Sequence, residues 1–422
     1  MNKEMGNSTK FLELVKERSM SKKVEDEGKE KQVSSYLDKD CITSILMKLP
    51  LESLPSSRFV CKAWYDIINS LPFINNRLEQ SESVLIYVKP IPMGSSHHYS
   101  SPTSTSSNRG NKFSVEGKVL QSQTLNMFAY QMANRSSKFS INFVECREGK
   151  GVTGDYGIEC LGSIRAACNG FILLDNRLKK GGVLVMNPVT RKLLALPVGT
   201  LTRPEWESYG FSLTGGRYKV VHLFMDDMKY IACETLNLGS RSWKPVNGPP
   251  SGRLPRFGFS PVSAIGALHW LPTLSSDNNF TVSMDLETEK FHLVPLPKIC
   301  GTHDRILEMG SLLGFITHED LHIDVWKLKS VVGQGDDAVW TKHHKITRGS
   351  LIDMVPLFCL RIKGDVIFKR HEGGSVYSYD FESETMTMVE MDEMDEEFRF
   401  YANLLPHVNS LGSWTAATQN LM

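Results

Sequence analysis

Few residues in this sequence combine the type and spacing that chemistry at a site requires. Two pairs of adjacent histidines, 97–98 and 343–344, offer imidazole nitrogens of the kind that bind zinc. Neighbours on a strand point to opposite faces, so neither pair predicts a shared metal ion. The stretch EGKGVTG at 148–154 suggests a phosphate loop but lacks the G-x-x-x-x-G-K-[ST] order. With no G-x-S-x-G or H-E-x-x-H motif either, the sequence predicts no catalytic, cofactor-binding or metal-binding residue and favours a protein that is not an enzyme.

The cysteines and the charge balance narrow the class of protein. Eight cysteines are scattered without a C-x-x-C pair, which predicts mostly buried, inert thiols in a reducing compartment, the cytoplasm or nucleus. Lys and Arg number 48 against 47 acidic residues, so no electrostatic case exists for nucleic acid or an anionic membrane. No apolar run approaches the ~20 residues needed to span a bilayer.

The amino-acid composition changes along the chain, and these changes divide it into segments with different predicted structure. Residues 1–34 are charged and poor in apolar side chains, which predicts a disordered segment. Residues 36–74 predict helices. Asp38 can cap the first helix, and Pro50 ends it because the residue before a proline avoids the α region. The tripeptide LPF at 71–73 is expected to end the second helix.

Two apolar stripes run along these predicted helices at the i, i+3, i+4 spacing of an amphipathic helix. The first stripe consists of Ile42, Ile45, Leu46 and Leu49, and the second of Val60, Cys61, Trp64, Ile67 and Ile68. About 38 residues cannot cover that much apolar surface by themselves. The segment therefore either packs on the rest of the chain as a cap or meets a partner.

A repeat fills most of the remaining chain. Four stretches share a period-2 strand that ends in Asn or Asp, a Ser or Thr three residues later, and a large apolar residue six residues later. An Asx side chain that binds the backbone just ahead of it starts a hairpin turn, and the apolar residue then begins the return strand. The Asx residues are Asn187, Asn237, Asp285 and Asp380.

The spacing of the repeat indicates the architecture. Successive Asx positions lie 50 residues (187 to 237) and 48 residues (237 to 285) apart, and the next gap of 95 residues spans two units. A period of about 40–50 residues with four strands is typical of a β-propeller blade. We predict a mainly β chain with a small all-α N-terminal domain at 35–75, a β-propeller-like domain of about five or six blades at 83–400, and a C-terminal tail at 401–422.

The helical segment resembles an F-box. The resemblance covers about 37 residues and depends on Leu-Pro and Val-Cys-Lys-x-Trp elements in the family's order and spacing. The matching residues are Leu37, Ile45, Leu46, Leu49, Pro50, Ser53, Leu54, Val60, Cys61, Lys62, Trp64 and Ile68. Asp38 replaces the usual proline and Ser44 a commonly acidic residue; the first change keeps a helix cap, and the second is expected to reduce affinity for the adaptor.

The β region resembles the kelch-like F-box-associated domain of plant F-box proteins over about 160–330, through stretches such as CNGFILL, NPVTRKLLALP and IDVWKLK. This resemblance implies a substrate-recognition subunit of an SCF-type cullin–RING ubiquitin ligase, in which the F-box binds a Skp-type adaptor and the β domain binds a target protein. The implied adaptor-binding residues are Leu37, Ile42, Ile45, Leu46, Leu49, Pro50, Leu54, Val60, Cys61, Trp64 and Ile68.

Alternatives to this function remain open. The chain could be a propeller scaffold that acts outside a ligase, whereas a propeller enzyme lacks a carboxylate or metal pattern. Target-binding residues are expected on loops at one propeller face. The candidate loops are 199–208, 247–257, 273–279 and 331–339.

Overall fold

The computed structural model describes part of the chain, in two compact units. The described residues are 38–91, 112–121, 124–126, 141–147, 150–156, 161–176, 179–190, 192–203, 206–250, 260–272, 279–319, 321–332, 337–347, 353–371, 375–389 and 405–413. The units are Met1–Ile45 and Leu46–Met422. The predicted disordered segment 1–34 lies outside the described residues.

Four α-helices and one 3₁₀ helix precede the sheets. They are α1 (Lys39–Lys48), the 3₁₀ helix Leu51–Ser53, α2 (Leu54–Ser57), α3 (Lys62–Ile68) and α4 (Leu71–Glu79). The sequence resemblance implies a three-helix F-box, with LPF at 71–73 as the end of the second helix. That boundary is wrong, because LPF begins α4. Pro72 lies in the first turn, where its missing N–H has no helical partner to lose. The Ser70 hydroxyl accepts the Phe73 N–H at 3.4 Å and caps the helix.

Antiparallel sheets make up the described residues from 83 onward. Five four-stranded sheets each use four consecutive strands in the order first to fourth. They consist of β6 (Leu161–Cys168), β7 (Phe171–Asn176), β8 (Gly182–Asn187) and β9 (Lys192–Ala195); β10 (Glu207–Thr214), β11 (Arg217–Met225), β12 (Ile231–Asn237) and β13 (Lys244–Val246); β14 (Val262–Ala264), β15 (Ala267–Trp270), β16 (Phe280–Asp285) and β17 (Phe291–Pro295); β18 (Arg305–Met309), β19 (Leu312–Glu319), β20 (His322–Val332) and β21 (Asp337–Ile346); and β22 (Met354–Cys359), β23 (Val366–Arg370), β24 (Val376–Asp380) and β25 (Thr385–Val389).

A sixth sheet joins the two ends of the β region. Its strands are β1 (Ser83–Ile91), β2 (Lys112–Gln121), β3 (Thr124–Asn126) and β26 (Leu405–Val408), and β26 pairs with β1 in the order β26-β1-β2-β3. A separate hairpin consists of β4 (Ile141–Arg147) and β5 (Lys150–Tyr156). Residues 405–413, which the sequence places in a tail, thus belong to the propeller, because the ring closes through a strand remote in sequence.

The strands that stand first in the order of each four-stranded sheet, which include β26 in the sixth sheet, lie side by side around a ring. β6 contacts β10, β10 contacts β14, β14 contacts β18, β18 contacts β22, β22 contacts β26, and β26 contacts β6. The six four-stranded sheets of the described residues therefore form a closed β-propeller, in agreement with the predicted five or six blades. Each ring contact packs one blade against the next.

The hydrophobic core lies between adjacent blades. Phe171 and Val185 of one blade pack in a buried cluster with Phe211 and Val220 of the next, and all four are at most 2% exposed. Equivalent clusters fill the next three blade interfaces of the β10–β25 region. Burying one such Phe, Val or Leu side chain stabilises a fold by about 1.5–3 kcal/mol, so the interfaces hold the ring together.

The Asx residues of the repeat start turns, as predicted. Asp285 accepts the backbone N–H groups of Glu287 and Thr288 at 3.1 and 2.6 Å. Asn187 and Asp380 accept the equivalent N–H groups of their own turns. At the fourth position the Ser240 N–H bonds to the backbone carbonyl of Asn237, at 2.9 Å. The repeated hairpin joins the third and fourth strands of a blade.

A buried histidine on the closing strand makes stability depend on pH. His407 is 2% exposed, and both ring nitrogens are without a hydrogen-bond partner among the described residues. Burial lowers the pKa of His407 to about 3. An unfolded histidine titrates near 6.5, so the neutral ring stabilises the fold fully above about pH 6.5, and this contribution is lost as pH falls below it.

We expect the His407→Leu variant to resist acid better than the wild type. The free energy of unfolding of the variant relative to wild type should rise by about 2 kcal/mol between pH 6.5 and pH 5, because one proton no longer binds on unfolding. Urea unfolding at a series of pH values measures this difference. Between pH 7.5 and 8.5 the difference should stay constant, since His407 is then neutral in both states. An unchanged difference down to pH 5 would contradict the assignment.

Candidate functional site

The helical segment is held in shape by its own polar groups. The Asp38 carboxylate accepts the N–H groups of Asp40 and Cys41 (the latter at 3.1 Å) and caps α1, as predicted. At the other end of α1, the Arg77 guanidinium of α4 donates to the carbonyls of Met47 and Leu49. A cation at a helix C-terminus also interacts favourably with the helix dipole. Arg77 therefore joins the first and last helices, a role for which the sequence offers no local signal.

The predicted adaptor-binding residues differ widely in exposure. Leu46, Leu54 and Ile68 are completely buried, so they can support a binding surface but cannot touch a partner in this conformation. Pro50 and Cys61 are exposed. The remaining described members, all half-buried, are Ile42, Ile45, Leu49, Val60 and Trp64. Leu37 lies outside the described residues.

Two exposed aromatic residues extend this set. Phe59 is 87% exposed and Tyr65 is 52% exposed, and they flank Val60, Cys61 and Trp64 in sequence. We call residues 59–65 the aromatic segment. Sequence reasoning missed Phe59 because it falls outside the helical stripe; the available signal was a large aromatic residue in a position that no stripe explains. A partner that covers these side chains would remove apolar area from water.

The charges near the aromatic segment are modest. Lys62 and Asp66 are exposed and carry opposite charges. Burial lowers the pKa of the half-buried Arg58, and the nearby Tyr65 partly offsets this effect. The segment is thus an apolar surface with a mixed polar surround, the composition of many protein–protein contacts.

The described residues contain no group of three or more His, Cys, Asp or Glu side chains that could hold a metal ion. Burial raises the pKa of the Cys168, Cys233, Cys300 and Cys359 thiols to about 12. A thiol with so high a pKa is a poor nucleophile, because the thiolate is the reactive form. Among the described helices, none is long and apolar enough to cross a membrane.

The candidate target loops fall partly outside the described residues. Of loop 247–257 the structure describes 247–250, and of loop 273–279 it describes residue 279. Loop 199–208 is described at 199–203 and 206–208, after the fourth strand of its blade. In 331–339, the described residues 331–332 end β20 and 337–339 begin β21. Target binding by these loops stays a prediction.

Comparison with known families agrees with this architecture. Residues 121–411 match the model of the F-box-associated beta propeller domain, and residues 35–76 match that of the F-box domain. The chain belongs to the F-box-associated β-propeller family. The F-box match covers the four described helices up to residue 76, and the propeller match ends three residues beyond β26.

Relatives of this family member occur in Arabidopsis thaliana. A putative F-box/kelch-repeat protein is 23% identical over 333 residues, 70% of each chain. An F-box protein is 23% identical over 342 residues, 74% of this chain and 72% of its own. Among solved structures, the β-propeller domain of Cps50 (Swd1) from Myceliophteria thermophila matches with a TM-score of 0.35 and 12% identity, over 57% of this chain and 76% of that one. At that TM-score the likeness is weak.

Proposed function

We propose that this family member is a substrate-recognition subunit of an SCF-type cullin–RING ubiquitin ligase. The observation that carries the proposal is the combination, in one chain, of an F-box at 35–76 with exposed aromatic residues and a β-propeller at 121–411. The helices would bind a Skp-type adaptor, and the propeller would bind a target protein. The chain would act in the cytoplasm or nucleus.

In this function the chain breaks and forms no covalent bonds. It would hold a target near a ubiquitin-loaded E2, which raises the effective concentration of the target's lysines at the reacting thioester. The chain contributes binding and orientation only. A propeller scaffold that acts outside a ligase is the alternative, and it requires no adaptor binding.

The exposures divide the predicted adaptor-binding residues into two roles. Pro50 and the aromatic segment would contact the adaptor directly. Leu46, Leu54 and Ile68 would hold the helices in the binding conformation from inside. Substitutions in the two groups should therefore differ: those in the first reduce binding without loss of fold, and those in the second reduce both.

We expect the Phe59→Ser variant to lose at least about ten-fold in affinity for a purified Skp-type adaptor, because truncation of a central aromatic contact typically costs more than 1 kcal/mol. The Leu49→Ala/Pro50→Ala double variant should lose more. Met228→Ser is the matched control, since Met228 is 75% exposed and lies in the propeller. Isothermal titration calorimetry with the full chain measures the affinities.

Two results would overturn the assignment. The first is a wild-type chain that does not bind the adaptor, which would favour the scaffold alternative. The second is equal affinity for the wild type, the Phe59 variant and the Leu49/Pro50 double variant, which would place adaptor binding elsewhere on the chain.

A further inference from the structure

The side chain of Glu82 joins the segment after α4 to a turn that lies much later in the sequence. Glu82 lies three residues beyond α4 and immediately before β1. Its carboxylate accepts backbone N–H groups from three consecutive residues of the turn between β22 and β23. The distances are 2.6 Å from Arg361, 3.2 and 3.1 Å from Ile362 to the two oxygens, and 3.1 Å from Lys363. We call this contact, with both of its partners, the Glu82 clamp.

The turn between β22 and β23 also contacts α4 through a side chain. The Arg361 guanidinium donates to the carbonyl of Leu78, in the last turn of α4, at 3.2 Å. The anion therefore meets a row of consecutive N–H donors, while the cation meets the C-terminus of a helix, where the Leu78 carbonyl also accepts the Ser81 N–H at 3.2 Å. Charge-assisted hydrogen bonds of this kind are about twice as strong as neutral ones.

The chain between the helix and the propeller leaves little freedom. Only residues 80–82 separate α4 from β1, and the Ser83 N–H also bonds to Glu82, at 2.7 Å. A connection this short, whose last residue Glu82 is bound to a different blade, can hold α4 in one direction relative to the ring.

The clamp is not part of the hydrophobic core. Arg361, Ile362 and Lys363 are exposed, and Glu82 is half-buried. The first strands of the six blades and the clusters between the β6–β25 blades are formed by other residues. Loss of the clamp should therefore free α4 without unfolding the propeller, as expected for a local opening.

We propose that Glu82 and Arg361 are positioning residues that fix the direction in which α4 leaves the propeller, and thereby the lysines at which ubiquitin is attached. The second part depends on the function proposed above. A rigid connection between adaptor and target sites selects a few lysines within reach of the E2, whereas a flexible one spreads the reaction over many.

The first test measures geometry in the full chain. Spin labels on unnatural amino acids at Asn75 in α4 and Arg241 in the propeller, both exposed, avoid the native cysteines. For the wild type, pulsed electron paramagnetic resonance should give one narrow distribution of the distance between the two spin labels. Glu82→Ala and Glu82→Gln should broaden it about two-fold, because the contact then opens locally. Glu79→Ala, an exposed carboxylate in the same helix, is the matched control and should leave it narrow.

The second test measures where ubiquitin goes. A ligase is reconstituted from the full chain, a Skp-type adaptor, a cullin–RING module and a charged E2, and mass spectrometry maps modified lysines on the chain itself. Glu82→Ala should spread modification over more lysines than wild type or Glu79→Ala, with adaptor affinity and melting temperature unchanged.

The outcomes separate the two proposals. A distance distribution for Glu82→Ala and Glu82→Gln as narrow as wild type overturns the clamp, whatever the ligase does. A broadened distribution with an unchanged lysine pattern overturns its role in ubiquitin placement. Absence of adaptor binding by wild type overturns the proposed function, while the distance measurement still decides the clamp.

Discussion

Truncation of the chain after residue 404 is expected to abolish the folded propeller, whereas truncation after residue 413 should leave it intact. The first truncation removes β26 and the segment that follows it, and the second removes only 414–422. Loss of the innermost strand would expose the edge of β1 and the faces of β6 and β22 that β26 covers. An ordinary domain has only about 5–15 kcal/mol of net stability, which such a loss exceeds.

Contacts beyond β26 fix the end of the chain in the ring. Leu411 is 3% exposed. The fully buried Asn187 amide donates to the carbonyls of Ser410 and Gly412, each at 3.0 Å. Gly170, at φ 91°, approaches Ser410 so closely that an added Cβ would lie 2.2 Å from the Ser410 Cβ. The closing segment therefore occupies a site shaped for it by the neighbouring blade.

The closure can be measured with three chains. Circular dichroism melting of the full chain, the 1–404 chain and the 1–413 chain compares their folds directly. The isosteric Asn187→Asp variant should lose about 2–4 kcal/mol of unfolding free energy, because two buried carbonyls then face an acceptor instead of a donor. A 1–404 chain that melts cooperatively at the temperature of the full chain would show that the ring does not depend on β26.

The second large effect is expected from Arg165→Met, in a partly buried network of charges between two blades. The Arg165 guanidinium contacts Asp175 at 2.7 Å and Glu207 at 3.0 Å. His222 contacts Glu234 at 2.8 Å and Glu207 at 3.4 Å. These five residues come from β6, β7, β10, β11 and β12, so the network joins one blade to the next.

The carboxylates of this network favour the charged forms of both cations. Burial alone would lower the pKa of His222, but the hydrogen bonds to Glu207 and Glu234 raise it above the ordinary value. Burial opposes the charge on Arg165 in the same way, and Asp175 and Glu207 raise its pKa. The His222 ring stacks on Tyr209 with centroids 4.3 Å apart, which fixes its plane between the two carboxylates.

We expect Arg165→Met to lower the free energy of unfolding by about 2–3 kcal/mol, because the partly buried Asp175 and Glu207 then lose a charged hydrogen-bond partner. The Arg165→Met/Glu207→Gln double variant should recover part of the loss. Lys244→Met is the matched control: Lys244 pairs with Glu289 at 2.6 Å but is 70% exposed, and such pairs contribute less than about 1 kcal/mol. Denaturant unfolding compares the variants, and equal small losses for both single variants would refute the network's role.

The blade hairpins could be predicted from the sequence because their signal is local. Asp285 and Thr288 lie three residues apart, and the turn that they form requires no distant partner. The closing strand could not be predicted in this way. LPHV at 405–408 is short and carries no signature of its own, and its partner β1 lies more than 300 residues away. Sequence reasoning therefore assigned it to the tail.

In the candidate site, too, the features with a local sequence signal could be predicted and the others could not. The stripes that contain Leu46 and Ile68 identified the helices, because periodicity follows from helix geometry. Periodicity does not distinguish a side chain that faces the helical core from one that faces a partner, and both of these residues are buried. Glu82 and Arg77 make contacts that depend on the folded arrangement of several elements, which no spacing in the sequence encodes.

The closing strand has a consequence for synthesis of the chain on the ribosome. β1 is synthesised before the other strands and β26 after them, with roughly 300 residues between the two, and at about 5–20 residues per second this separation lasts tens of seconds. Throughout that time β1 has an open edge that could pair with another nascent chain. The five consecutive blades can assemble as they emerge, but the ring cannot close until β26 has been synthesised. Folding of this protein therefore depends on protection of one early strand until β26 is available.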